Sequence, residues 1–441
     1  MRRLCLLLLG LTLLPATSAA AATGPCVPGH KSPRCNFSTA KVTFIADGDT
    51  IRVRVGGRGP ERTIRFTGIN AMELHRYSKY AARRRGECHG VAATALVERW
   101  IKRAHWRVRL ADQRADSRSG ERLRRAVWVR VGGRWRDIGR MELKAGLVLW
   151  LPNGVEWAHN DEYHLLAEQA RSAGRGLYDP DSCGSGPDDG TPLRMLVNWD
   201  ADHNDNDNLN DEWVEIVNDG SAPLPLKGWW LRDSWLNWAR KPGGGGRVPG
   251  YPFPPTASIP AGGSIRVHVG CGTNSGDDLY WCQKTSAFEN VTRDARALGD
   301  GGYLFDPQGD LRLSSIYPCV LSCSDPAVGR VALDVHPSGS ESAEVTNTGS
   351  DDLDLFGYLL KLHHPDLKDQ FIASYQFARG TVLAPGETLR VDLTGSRSDD
   401  TRLRRHWPIG PNILRDGEGA MSLRTFTDIV VTCDAWGRGH C

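Results

Sequence analysis

Two aspartates flank a glycine in the run Ala46-Asp47-Gly48-Asp49-Thr50, and Arg65-Phe66-Thr67-Gly68-Ile69-Asn70-Ala71-Met72-Glu73 follows a short way on. Carboxylates on a tight turn offer oxygen ligands to a hard cation such as calcium. The guanidinium of Arg65 offers paired donors to a phosphate, and Glu73 is a carboxylate that could activate or orient water. An aspartate pair at a turn is common by itself; the whole order adds a phosphate-binding guanidinium and a candidate general base to the cation ligands. β-Branched runs on both sides, Val42 to Ile45 and Thr50 to Val55, predict that the aspartates ride on a turn between strands, with Arg65 opening the next one.

The elements that must hold these residues follow in order. His89 to Arg103 carries Val91, Ala95, Leu96 and Trp100 at helical spacing. Arg122-Leu123-Arg124-Arg125 leads into a strand, Ala126 to Val129, closed by Gly132-Gly133. A helix is expected over Ile138 to Leu143, then Ala145-Gly146-Leu147-Val148-Leu149-Trp150, then a last helix from Glu162 to Ala173 stopped by Gly174.

From about Ser38 to Pro180 these residues and this order resemble the thermonuclease (staphylococcal nuclease) family. The resemblance implies an α+β OB-fold, a small Greek-key barrel with three helices. It implies calcium as cofactor, with Asp49 as a ligand, Asn70 at the position of a second ligand and Ala71 contributing its backbone carbonyl. Arg65 would clamp the phosphate, Glu73 would activate or orient water, and Asp47 would tune the field. The second catalytic arginine maps to Arg122, with Arg124 as the runner-up that binds substrate. The chain departs from the family at Asn70, where the family has an aspartate, and at Ala71-Met72, where Thr-Pro is usual. It also departs through one insertion in Asp116-Ser117-Arg118-Ser119-Gly120-Glu121-Arg122-Leu123. The expected activity is calcium-dependent endonucleolytic hydrolysis of DNA and RNA. The alternative is a catalytically inactive nucleic-acid or surface-binding protein whose site decayed at Asn70. His75, His89 and His159 occur without the segments of a histidine-based nuclease and read as incidental.

Arg2 and Arg3 precede the apolar run Leu4 to Leu14, too short to span a bilayer, and small residues follow to Ala22. Residues 1–22 therefore read as a secretory signal and 23–37 as a cysteine-containing segment before a nuclease-like domain at 38–183. Removing the signal leaves ten cysteines, an even number that favours disulfides in an exported, secreted chain. Cys88 with Cys183, Cys26 with Cys35, and Cys271 with Cys282 are plausible pairs, although spacing does not determine connectivity. The net charge of +3 hides an asymmetry. Asn36 to Pro180 holds 28 Lys and Arg against 16 Asp and Glu, whereas Asp181 to Cys441 holds 23 against 36. A balance of +12 on the front half is the footprint of a nucleic-acid binder, and −13 on the remainder is not.

After a turn-rich linker at 184–192 the chain repeats itself. Glu212-Trp213-Val214-Glu215-Ile216-Val217-Asn218-Asp219-Gly220-Ser221 recurs as Glu341-Ser342-Ala343-Glu344-Val345-Thr346-Asn347-Thr348-Gly349-Ser350. Leu224-x-Leu226-x-Gly228-Trp229-x-Leu231 recurs as Leu353-x-Leu355-x-Gly357-Tyr358-x-Leu360. The first copy, 193–323, resembles the lamin-tail domain, an all-β immunoglobulin-like sandwich; the second, 324–441, is a diverged copy with Ser342 where Trp213 stands. Such modules imply attachment to a cell-surface or matrix ligand, with Trp213, Trp229 and Trp230 filling core. The acidic run from Asp200 to Glu212 has aspartates at calcium-loop positions but lacks the turn glycine, so it reads as a solvated turn. The oligomeric state is not legible.

Overall fold

The computed structural model describes residues 22–29, 31–74, 86–184, 190–240, 247–292, 294, 296–364, 366 and 370–441. The expected signal segment (save Ala22) and His75 lie outside them. The front half has strands β1 (Ala22–Pro25), β2 (Arg34–Ile45), β3 (Thr50–Val55), β4 (Glu61–Phe66) and β5 (Ile69–Ala71), then helix α1 (Glu87–Arg103). Strands β6 (Arg107–Asp112), β7 (Arg118–Ser119), β8 (Arg122–Val131) and β9 (Arg134–Asp137) follow, then α2 (Ile138–Ala145), β10 (Val148–Trp150) and α3 (Asn160–Ser172).

The expected α+β OB-fold barrel with three helices is corrected. The strands make one eight-stranded sheet along the path β1-β2-β3-β4-β8-β6. β7 and β9 are added on β8, and β2 contacts β6 as well as β3. β5 and β10 form a separate two-stranded ladder. Nor does the core end where a separate domain would. Ile51, Val53, Ile64, Phe66, Val127, Trp150 and Tyr163 share one apolar cluster with Trp230, Tyr303, Phe305, Leu311 and Ile316 of the first repeat unit. Trp230 stacks on Phe305 with ring centroids 4.5 Å apart.

Local chemistry explains the elements. In the Asp47-Gly48-Asp49 turn the Asp49 amide donates to Asp47 Oδ1 at 3.1 Å, and the Ala46 amide closes the hairpin on the Thr50 carbonyl at 2.9 Å. A Cβ on Gly48 would stand 2.6 Å from Ala93 Cβ of α1 and 2.9 Å from Ala71 Cβ, so only glycine lets the turn seat there. α1 forms with helical periodicity, but its buried stripe is Ala93, Leu96, Val97 and Ile101, while Val91 and Ala95 face solvent. α2 is capped by Asp137, whose other oxygen accepts the Tyr163 hydroxyl of α3 at 2.7 Å.

The repeat is structural as well as sequential. Strands 193–198, 213–218, 264–268 and 278–280 form one four-stranded sheet; 230–232, 251–252, 300–305 and 311–317 form its companion. The second unit reproduces both, with 331–336, 342–347, 388–392 and 404–406, and with 358–363, 371–376, 419–425 and 430–436. Shared residues do the same work. Glu212 accepts the Phe288 amide and Glu341 the Leu414 amide, each buried. Asn218 and Asn347 each donate to two carbonyls and accept the amide of the glycine two residues on. Ser342 replaces Trp213 for a visible reason: Trp213 packs against Phe356, Leu359 and Phe426 of the second unit.

Equivalent positions Arg232 and Lys361 are both buried cations, and each reaches the unit before its own. Arg232 touches Met72 Sδ at 3.2 Å, and Lys361 donates to Asp200 at 2.8 Å. The acidic run is thus a docking segment. Asp202 Oδ1 accepts the Ser374 amide at 2.7 Å, and the His203 amide donates to the Ile372 carbonyl at 3.1 Å.

Among the described residues there are five disulfides: Cys26–Cys35, Cys88–Cys183, Cys271–Cys282, Cys319–Cys323 and Cys433–Cys441. That content suits an oxidising environment. Among the described residues no helix is long and apolar enough to cross a membrane.

Candidate functional site

Register assembles a cleft where β4 runs parallel to β8. Thr50 stands opposite Arg65, and Arg65 stands opposite Arg124. The cleft, about 200 Å³, is lined by Arg65, Asn70, Glu73, Arg122 and Arg124 from the front half. Its far wall is Trp235, Leu236 and Trp238 from the first repeat unit. Asn70 ties the two walls, its Nδ2 donating to the Ser234 carbonyl at 2.6 Å. Arg122 donates to Thr50 Oγ1 at 3.3 Å and Ser119 Oγ at 3.5 Å, while the Arg124 guanidinium lies 5.7 Å from the Trp235 ring centre. Burial, then repulsion from Arg65 and Arg122, lowers the pKa of Arg124.

Asp49 does not line the cleft; it is buried behind Arg65 with both oxygens engaged. Oδ2 is paired with Arg65 and accepts the Ala71 amide at 2.7 Å; Oδ1 accepts the Thr50 hydroxyl at 2.9 Å. Ala71 itself stands opposite Val148 in the small ladder. Burial, then the charges of Asp49 and Glu73, pushes Asp47 up to about 7. Glu142 of α2 is fully buried beside the turn, held well above the usual carboxylate range by burial and by Asp49 and Asp47. Sequence reasoning missed Glu142, whose signal is an acidic residue in the same helical stripe as Ile138 and Leu143. It also missed Trp235, Leu236 and Trp238, which packing between units brings in.

A group whose folded pKa is raised lends stability fully below its unfolded pKa and loses it as pH rises through the folded one. For Asp47 that window runs from the ordinary value near 3.8 to about 7. Asp47→Asn is expected to flatten the fall in melting temperature across that range, and an unchanged pH profile would refute the assignment.

Residues 197–317 are a lamin tail domain by their match to that family. No curated protein matches the chain. The family match does not extend to the front half, so the thermonuclease assignment is not supported there.

The expected calcium-dependent nuclease is corrected on the donor geometry. Among the described residues, one group of three metal-ligand-type side chains converges, Cys88, His89 and Cys183, and its two sulfurs are bonded to each other. Asp47, Asp49 and Glu73 do not form such a group. The guanidinium of Arg65 occupies the flank of Asp49 that a cation would need, and the Asn70 amide is turned to Ser234. These residues do not fit a calcium ion as placed, and the hydrolase reading goes with it. The acidic run of the lamin tail domain is likewise committed, Asp200 to Lys361 and Asp202 to Ser374.

Proposed function

We propose that this chain is a non-catalytic nucleic-acid-binding protein of an oxidising, extracellular setting. The observation that carries it is the convergence of Arg65, Arg122 and Arg124 on one cleft whose other wall is Trp235 and Trp238. Asp49 offsets Arg65, leaving Arg122 and Arg124 to meet phosphate while the Trp235 indole offers a face to a base. The basic balance of the front half steers a polyanion to it, and the acidic repeat units serve as an attachment arm toward a surface or matrix ligand. Binding of this kind needs no metal.

The test is the chain without residues 1–22 and an end-labelled oligonucleotide, in calcium or in chelator. Binding is expected in both, weakening steeply with salt, with the strand left at full length. Shortening of the strand, or binding that appears only with calcium, would overturn the proposal.

A further inference from the structure

The outward face of the front sheet carries a second feature. Along β2, β3, β6 and β8 the inward residues Val42, Val53, Val108 and Val129 are buried, so their neighbours Lys41, Arg54, Arg107 and Arg130 point away from the core and are exposed. Lys41 stands directly opposite Arg54 on one side and Arg107 on the other. Like charges placed opposite one another across strands destabilise a sheet. Here three such cations stand in a line, and Arg130 extends it on β8. Among the described residues no carboxylate lies within ion-pair distance of Lys41, Arg54 or Arg107. Glu61, opposite Arg54, is engaged by Arg52 at 3.6 Å and by the Thr43 hydroxyl at 2.8 Å.

Beside this row lies an aromatic and cationic stack. The Arg109 guanidinium sits 4.5 Å from the Phe37 ring centre and 4.2 Å from that of Trp135. Its Nε is buried without a hydrogen-bond partner. Trp135 stands opposite Arg130 and is 38% exposed. A guanidinium spent on these rings, and on that of Trp128 at 5.5 Å, holds the indole in place, so its open area is preorganised for another flat group.

We infer that this face is a binding surface for single-stranded nucleic acid. Successive phosphates neutralise the row of Lys41, Arg54, Arg107 and Arg130, and an unpaired base stacks on Trp135. A duplex keeps its base faces covered, and a sulfated polysaccharide has none, so the indole selects the single strand. The face is separate from the cleft. Arg130 and Arg124 lie on one strand roughly 20 Å apart at ~3.3 Å per residue.

The experiment measures anisotropy of a labelled single strand of about 20 nucleotides with the chain lacking residues 1–22, across a salt series. The triple variant Lys41→Gln, Arg54→Gln, Arg107→Gln is expected to reduce the slope of log affinity against log salt by about 2, at ~0.7 for each phosphate no longer neutralised. Trp135→Ala is expected to weaken binding by roughly 5- to 100-fold at fixed salt. Melting curves confirm folding, since all four side chains are exposed. An unchanged slope in the triple variant overturns the inference. So does a sulfated polysaccharide losing as much affinity as the strand while Trp135→Ala changes neither. Arg124→Gln, read with a dinucleotide too short to span both sites, reports on the cleft alone. The two proposals can therefore fail separately.

Discussion

Trp230→Ala is expected to cost ~3–5 kcal/mol, the range for truncating a buried large aromatic, and to split one unfolding transition into two. Trp230 is 2% exposed and stacks on Phe305 inside the cluster that the front half shares with the lamin tail domain. The stacking adds ~0.5–1.5 kcal/mol to the area term. Its loss should let the front sheet melt separately from the repeat units, because Trp230 is the largest side chain the lamin tail domain places in that cluster. Urea denaturation followed by circular dichroism and fluorescence reads both effects. Trp229→Ala serves as the control, since its half-buried ring lies outside the shared cluster. A single transition shifted no further than that control would mean the two parts do not depend on one another.

The second large effect concerns Lys361. Its ammonium is 3.7 Å from the Trp199 ring centre and 4.6 Å from that of Phe371, and it donates to Asp200 at 2.8 Å. The Lys361 side chain is 2% exposed, so Asp200→Ala leaves a buried charge with ring faces and the more distant Asp205 carboxylate as its remaining compensation. Removing one partner of such a pair typically costs ~3–5 kcal/mol, whereas replacing both by neutral groups of similar volume is often close to neutral. Asp200→Ala should therefore be far worse than the double variant Asp200→Asn, Lys361→Met. A double-mutant cycle from urea midpoints measures the difference. Additive losses would show that the two side chains are neighbours without coupling.

How much of this was legible in the sequence depends on which contacts decide each feature. Helix α1 was legible because an apolar period needs only local spacing; which stripe faces inward was not, since Ala93 is placed by Gly48 and the turn it packs under. The convergence of Arg65, Arg122 and Arg124 rests on the register of β4 on β8, which brings the ends of two strands together; residue order does not state that pairing, and only the resemblance had grouped the three. What the cleft does was not legible. Residue types alone suggested calcium at Asp49, but chemistry depends on which neighbour holds each oxygen, and Arg65 with the Ala71 amide holds Asp49. The acidic run shows the same gap, since composition cannot distinguish a metal loop from a segment whose carboxylates are met by Lys361 and Ser374. The internal repeat was fully legible, because Glu212 and Asn218 act within their own unit and Glu341 and Asn347 copy them.

Arg232 and Lys361 occupy the same station in successive copies, yet each grips a different receptor, Met72 in one case and Asp200 in the other. The modules are therefore not interchangeable parts. Exchanging the two copies would offer an ammonium to a thioether and a guanidinium to a socket of two rings sized for lysine. Sequence order is written into the couplings themselves. Shuffling the copies should scramble the assembly even if every module still folds, which makes this chain a poor substrate for modular recombination despite its repeats.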